Sequence, residues 1–335
     1  MNRSRFQQIA CRFPKMTLLV VGDIMLDEFI WGRVKRISPE APVPVVEVDR
    51  ETCYPGGAAN VARNLCEFSG GVHLMGLIGT NTYASQLRGL LENDGIRLDC
   101  LVEDPAYQTI VKTRIIARNQ QVVRVDRERK TGLTALQSAQ ALAQIDQLLS
   151  QIDGIIIEDY AKGLLDQHLV DAIIERARAA GKVVTVDPNP NNRLAWNGVT
   201  AIKPNRSEAF AAAGLPQTDP VEPATEDTAL LEAGKALLER WNTESLMVTL
   251  SEQGIMLFQK EGEPFHIPTH AQEVFDVSGA GDTTIALFTL ALCAGASPTE
   301  AADIANHAAG IVVGKLGTAT VTAEELTESF EEEAS

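Results

Sequence analysis

Four short, unbroken apolar runs, at residues 18–21, 154–157, 183–186 and 246–250, constrain this chain more than any other feature. None alternates polar with apolar residues, so each must be covered on both faces, as strands are inside a parallel sheet. A fifth run at 72–78 reads the same way. Segments with helical spacing lie between them, at 58–68, 83–93, 135–149, 169–180 and 227–241. Strands alternating with helices predict an α/β fold with a mainly parallel central sheet. Two more helices are expected at 279–293 and 299–313. The acidic end, 324–335, reads as a solvated terminal helix or tail.

Two stretches break this rhythm. Residues 43–48 form an extended, Pro-bearing piece. Residues 109–117 and 121–126 alternate apolar with charged side chains and meet at Arg118-Asn119-Gln120, the pattern of a hairpin with one wet face. These pieces predict a small β lid, drawn from about 28–50 and 107–127, that projects from the main sheet and closes over a substrate. An edge extension of the main sheet is the alternative. Lid strands with a wet face also suggest pairing with a second copy as a homodimer. No repeat or low-complexity linker divides the chain, so residues 1–335 are expected to form a single domain.

Composition excludes several classes. With 29 basic against 45 acidic residues and a net charge of −16, the chain is a poor general binder of nucleic acid or anionic membrane. Five scattered cysteines without a Cys-x-x-Cys pair argue against a disulfide framework and a zinc site. The apolar run at 16–21 meets Gly22-Asp23 too soon for a signal peptide or membrane span, so a cytoplasmic protein is expected.

The chemistry concentrates in Val277-Ser278-Gly279-Ala280-Gly281-Asp282-Thr283-Thr284, just ahead of an apolar helix. Small residues there let the backbone N–H groups of 279–282 converge at the positive end of the helix dipole, which makes an anion site. A carboxylate has no place beside an anion unless it does chemistry. Asp282 is therefore read as the base that deprotonates a hydroxyl attacking a phosphoryl group. The plain alternative makes Asp282 a first-turn dipole partner.

Three other motifs join it. Gly56-Gly57 before Asn60 opens a helix to which a hydroxyl-rich ligand can come close. In Lys203-Pro204-Asn205-Arg206-Ser207-Glu208, Asn205 and Glu208 form either a capping box or a holder for hydrated Mg²⁺ and nucleotide phosphates. Thr249-Leu250-Ser251-Glu252-Gln253-Gly254 ends a strand in a loop that suits a nucleotide.

In this order, over about 17–322, the four motifs closely resemble the ribokinase-like (pfkB-type) carbohydrate kinases. The resemblance implies a Rossmann-like three-layer sandwich with a β lid, and ATP-dependent phosphorylation of a sugar hydroxyl. It makes Asp282 the catalytic base and Gly279, Ala280 and Gly281 the anion hole. It assigns Asn205 and Glu208 to Mg²⁺ and phosphate, Thr249, Ser251 and Gly254 to the nucleotide, and Asn306 to the adenine. Asp23, Asp27, Gly56, Gly57 and Asn60 become sugar contacts. Val277 stands where many members have Thr. A K⁺ site near Asp276 and the loop at 314–317 is an option the family allows.

The segments from Val21 to Val45 and from Ala117 to Glu128 resemble the heptose-phosphate kinase branch of that family. The resemblance implies transfer to the anomeric hydroxyl of D-glycero-D-manno-heptose 7-phosphate. Arg33, Lys35, Arg36, Arg114, Arg118 and Arg124 gather in the expected lid, where they would suit a substrate that already carries phosphate or would merely keep a β edge soluble. Asp159, Lys162, Asp187 and Asn189 follow strand ends and are further candidate substrate contacts. Relatives often carry a fused nucleotidylyltransferase; a single-function form is expected here. Kinase action on fructose 6-phosphate, ribose or a nucleoside stays open, as does a non-catalytic sugar-binding regulator.

Overall fold

Alternate side chains of the Thr17–Gly22 strand enter different cores, Leu18 and Val20 one and Leu19 and Val21 the other. That two-sided burial is the physical content of an unbroken apolar strand. The computed structural model describes residues 1–335 except 119, 272, 273, 316 and 332–335. Asn119 of the hairpin turn, Glu273 ahead of the glycine motif and the last four residues of the acidic end therefore lie outside the described residues.

Among the described residues, eight strands form the main sheet, in the order Phe265–Ile267, Ile255–Gln259, Ser245–Thr249, Ala201–Ile202, Val183–Asp187, Gly154–Glu158, Thr17–Gly22 and Gly71–Met75. The last six strands in that order pair in parallel, and the first two join them antiparallel. One core packs the helices Ala58–Cys66, Thr82–Asn93, Ala280–Cys293 and Pro298–Val313 on one face. The other packs Ala135–Leu148, Gln167–Ala179 and Thr228–Trp241 on the opposite face. Helices on both faces of a parallel sheet make the three-layer α/β sandwich that the apolar runs predict.

The expected strand at 72–78 is broken. Gly71–Met75 stays in the main sheet, while Leu77–Ile78 leaves it to pair with Val102–Glu103. The break falls at Gly76, where a Cβ would meet Ile24 Cγ2 at 2.8 Å.

A separate four-stranded sheet runs Pro44–Gly57, Ile24–Ile37, Ile110–Ala117 and Gln120–Arg127. It is not an edge extension of the main sheet. The 14-residue strand Ile24–Ile37 was hidden in the sequence because its outer half mixes basic with apolar residues. Gln120–Arg127 is exposed along nearly its whole length, so this hairpin strand is wet on both faces rather than one. The acidic end is likewise less solvated than expected. Its Ala323–Glu328 helix buries Leu326, and Phe330 stacks on Phe6 at 4.5 Å.

Candidate active site

Ligands of open parallel sheets bind beyond the carboxyl ends of the strands. Here Glu158 and Asp187 are the last residues of neighbouring central strands and pair in register, and Lys203 follows the next strand. Above them the Ala280–Cys293 helix starts at Gly279, whose φ of 82° favours glycine and whose Cβ would stand 3.0 Å from Asn60 Nδ2.

Asp282 sits in the first turn of that helix, only 7% exposed. Asn60 Nδ2 donates to its Oδ2 at 2.6 Å, and the Tyr160 hydroxyl donates to its Oδ1 at 2.9 Å. Burial pushes the Asp282 carboxyl above its usual range, and the two donors pull the other way. A raised value makes the carboxylate a better proton acceptor. Ala280 donates its N–H to the Val277 carbonyl at 3.3 Å. The N–H groups of Gly279, Gly281 and Asp282 have no partner among the described residues and lie at the helix N-terminus.

Lys203 Nζ pairs with Asp187 Oδ2 at 2.7 Å and would lie 3.4 Å from a Cβ at Gly281. Burial alone would lower the lysine's pKa, but Asp187 and Glu158 together hold it above the ordinary value. Glu158 is 2% exposed, and burial pushes its carboxyl well above the usual range, with Asp187 and Asp282 adding to the effect. Burial beside Asp187 thus disfavours the ionised carboxylate, while Lys203 works against the shift.

A cavity of about 560 Å³ opens over this cluster, lined by Asp282, Lys203, Asp187, Asn205, Glu208, Thr249, Ser251, Gly254 and Asn306. Asn205 and Glu208 do form a capping box: Asn205 Oδ1 accepts from the Glu208 N–H at 2.9 Å, and Glu208 Oε2 from the Asn205 N–H at 2.8 Å. The box engages Asn205 Oδ1 and Glu208 Oε2 and leaves Asn205 Nδ2 and Glu208 Oε1 without a partner among the described residues, so capping and ligand binding are compatible. Asn306 donates to the Pro268 carbonyl at 2.7 Å. Val274 and Val277, 62% and 68% exposed, line the same cavity with Val313 and Ala309, an apolar wall suited to a purine. A second hollow of about 690 Å³, around His270, Asp303 and His307, contains none of these groups.

On the other side of Asp282, Gly56 packs so closely on Asp27 that a Cβ would lie 2.2 Å from Asp27 Oδ2. Asp27 is held by Arg114. Asn60 Oδ1 is buried without a partner, an acceptor aimed at whatever shares the space with Asp282. Not every candidate reaches the site. Asp23 spends both oxygens on the backbone N–H groups of Tyr160, Lys162 and Leu164, which shapes the loop beneath the sugar side. Asp159 caps Ala161 and holds Asn192; Asn189 closes a local turn with Asn191. Arg118 occupies the exposed hairpin tip at φ 51°. Asp276 bonds the N–H groups of Ser278 and Gly317.

A family model described as pfkB family carbohydrate kinase matches residues 16–325. The chain belongs to that family. This pfkB chain thus falls among carbohydrate kinases. It is 41% identical over 330 residues to the Bifunctional protein HldE of Syntrophotalea carbinolica, covering 98% of this chain and 66% of that one. It is 45% identical over 318 residues to the Bifunctional protein HldE of Caulobacter vibrioides, covering 94% and 63%. The kinase thus spans about two thirds of the length of the curated relatives it matches. Its fold is similar to that of ribokinase from Thermotoga maritima (TM-score 0.70, 21% identity, 94% of this chain and 99% of that one). It is similar as well to phosphofructokinase-2 from Escherichia coli (TM-score 0.74, 18% identity, 93% and 97%).

Sequence reading passed over three groups in the kinase site: Tyr160, Glu158 and Lys203. All stand at or just past the carboxyl ends of apolar strands. That position at a strand's carboxyl end was the available signal.

Proposed function

We propose that the kinase transfers the terminal phosphoryl group of ATP to the anomeric hydroxyl of D-glycero-D-manno-heptose 7-phosphate. The product would be the 1,7-bisphosphate, a precursor for ADP-heptose and lipopolysaccharide core synthesis. One observation carries the chemistry: a buried carboxylate, Asp282, is held by two donors between a nucleotide-sized cavity and the Gly56–Asn60 segment. The substrate reading is supported by the Val21–Val45 and Ala117–Glu128 segments and by relatives named HldE at 41% and 45% identity.

In this proposal Asp27 and Asn60 orient the sugar, and Asp282 accepts the anomeric proton as the sugar oxygen bonds to the terminal phosphorus of ATP. The bond from that phosphorus to the bridging oxygen of ADP breaks in the same in-line displacement. N–H groups of Gly279, Gly281 and Asp282, with Lys203 beneath them, stabilise charge on the transferring group. Asn205, Thr249, Ser251 and Gly254 hold the nucleotide phosphates, and Asn306 supports the wall beside the adenine.

Glu208 suits a hydrated Mg²⁺, since hard oxygen donors match that ion and the capping box leaves Glu208 Oε1 facing the cavity. Such an ion would offset the charge of the nucleotide phosphates. Around Asp276 the described partners are N–H groups rather than oxygens, so no step is derived through K⁺.

The four-stranded sheet serves as the lid and as a homodimer surface. Ile37, Val48 and Val123 on it are 60%, 53% and 45% exposed. Light scattering that finds only monomer at micromolar concentration would remove the dimer from the proposal. The substrate is tested by ADP release with Mg-ATP across the heptose 7-phosphate, sedoheptulose 7-phosphate, fructose 6-phosphate, ribose and adenosine. Preference for the aldoheptose phosphate is expected; preference for any other member of the panel overturns the assignment.

A further inference from the structure

Several basic residues of the four-stranded sheet are already neutralised. Arg33 pairs with Asp49, Lys35 with Glu47, Arg124 with Asp126, and Arg114 with Asp27. Arg36 and Arg118 are exposed on its outer part. Lys112 differs from all of these. It is half-buried, and no hydrogen bond or ion pair takes its ammonium among the described residues. Its Nζ stands 5.6 Å from the centre of the Tyr160 ring, and the Tyr160 hydroxyl bonds the catalytic carboxylate. Lys112 is also the register partner of Asp27 on the adjacent strand, which places it on the sugar side of Asp282.

A second ammonium lies beside it. The backbone N–H of Lys162 is fixed by Asp23 Oδ2 at 2.9 Å, and its side chain reaches Glu128 at 2.7 Å. After burial, Lys162 is the cause that lowers the Lys112 pKa, while Asp27, Glu128 and Asp126 act in the opposite sense without bonding its ammonium. Two like charges in a partly desolvated pocket repel unless an anion comes between them. A phosphate monoester, with close to two negative charges and three acceptor oxygens, is the complementary group.

We infer that Lys112, assisted by Lys162, binds the phosphate of a phosphorylated sugar while Asp282 addresses the hydroxyl at the sugar's other end. This rests on the sugar-phosphate reading of the site. It moves the phosphate contact from the outer arginines of the sheet to an inner lysine pair that the strand register places near the base.

The test compares Lys112→Met and Lys112→Arg with the parent protein on D-glycero-D-manno-heptose 7-phosphate and on the unphosphorylated heptose. For Lys112→Met, KM for the phosphorylated sugar should rise about 100-fold with kcat within about threefold, as expected for loss of a charge-assisted contact. Its kcat/KM for the unphosphorylated heptose should be unchanged, and Lys112→Arg should recover most of the difference. Equal losses on both sugars would mean that Lys112 merely supports Tyr160 and would overturn the inference; so would no loss on either. Calorimetric titration with inorganic phosphate reads the same contact without turnover. Weaker phosphate binding in Lys112→Met sustains the inference even if the preferred sugar phosphate is not a heptose. Unaltered phosphate binding defeats it even if the heptose assignment holds.

Discussion

Tyr160 and Asp282, 122 positions apart in the chain, meet through a 2.9 Å hydrogen bond from the phenol to carboxylate Oδ1. With Asn60 on Oδ2, the bond fixes the carboxylate plane and leaves it little freedom except to accept a proton from a hydroxyl placed between them. The same bond stabilises the ionised form of Asp282, against burial that favours the neutral form.

Asp282→Asn keeps the shape and removes the base. We expect kcat to fall by about 100- to 10,000-fold, the range for loss of general-base catalysis. Nucleotide affinity, measured by titration calorimetry, should stay within a few-fold. A kcat within tenfold of the parent would remove Asp282 from its role.

Tyr160→Phe removes one donor to the ionised carboxylate, so the Asp282 pKa should rise. The acid limb of the kcat/KM profile should therefore move to higher pH, with a loss of about tenfold on its acid side. A profile that does not move, or moves toward acid, contradicts the hydrogen bond's effect.

Burial, with Asp187 and Asp282 nearby, favours the neutral form of Glu158, so Glu158→Gln should keep turnover and melting temperature near those of the parent at neutral pH. Glu158→Ala leaves Asp187 and Lys203 beside a cavity, and a melting-temperature drop of several degrees with reduced kcat is expected. If Gln were as damaging as Ala, Glu158 would be ionised and the charge assignment around Lys203 would have to change.

His307, 6% exposed, stacks between His270 and Phe330 at 3.7 and 3.9 Å. Burial first, and His270 second, lower its pKa to about 4, below the value of an unfolded histidine near 6.5. Folding thus favours the neutral ring, so its stabilising contribution is present above pH 6.5 and is lost as pH falls toward 4. Melting temperatures of His307→Phe should decline less than those of the parent between pH 7 and 5. Parallel declines would refute the assignment.

The expected elements were legible wherever the signal is local. The apolar strands, the capping box at Asn205 and the glycine start of the Ala280 helix depend on neighbours a few positions away. The break at Gly76 was not legible, because it reflects contact with Ile24, some fifty positions earlier. That Asp23 also braces the loop near residue 160 was not legible either, because its partners lie well over a hundred positions away.

Sequence alone determined the class of fold and the family and singled out Asp282, because periodic burial and a glycine-loop carboxylate are written in consecutive residues. Tertiary structure alone decided which groups meet that base. Tyr160, Asn60 and Lys203 arrive on separate elements, and the pairing of Arg114 with Asp27 while Lys112 stays unpaired among the described residues depends on strand register. Charge and distance set the chemistry of such a site, and distance between remote residues exists only once the chain has folded.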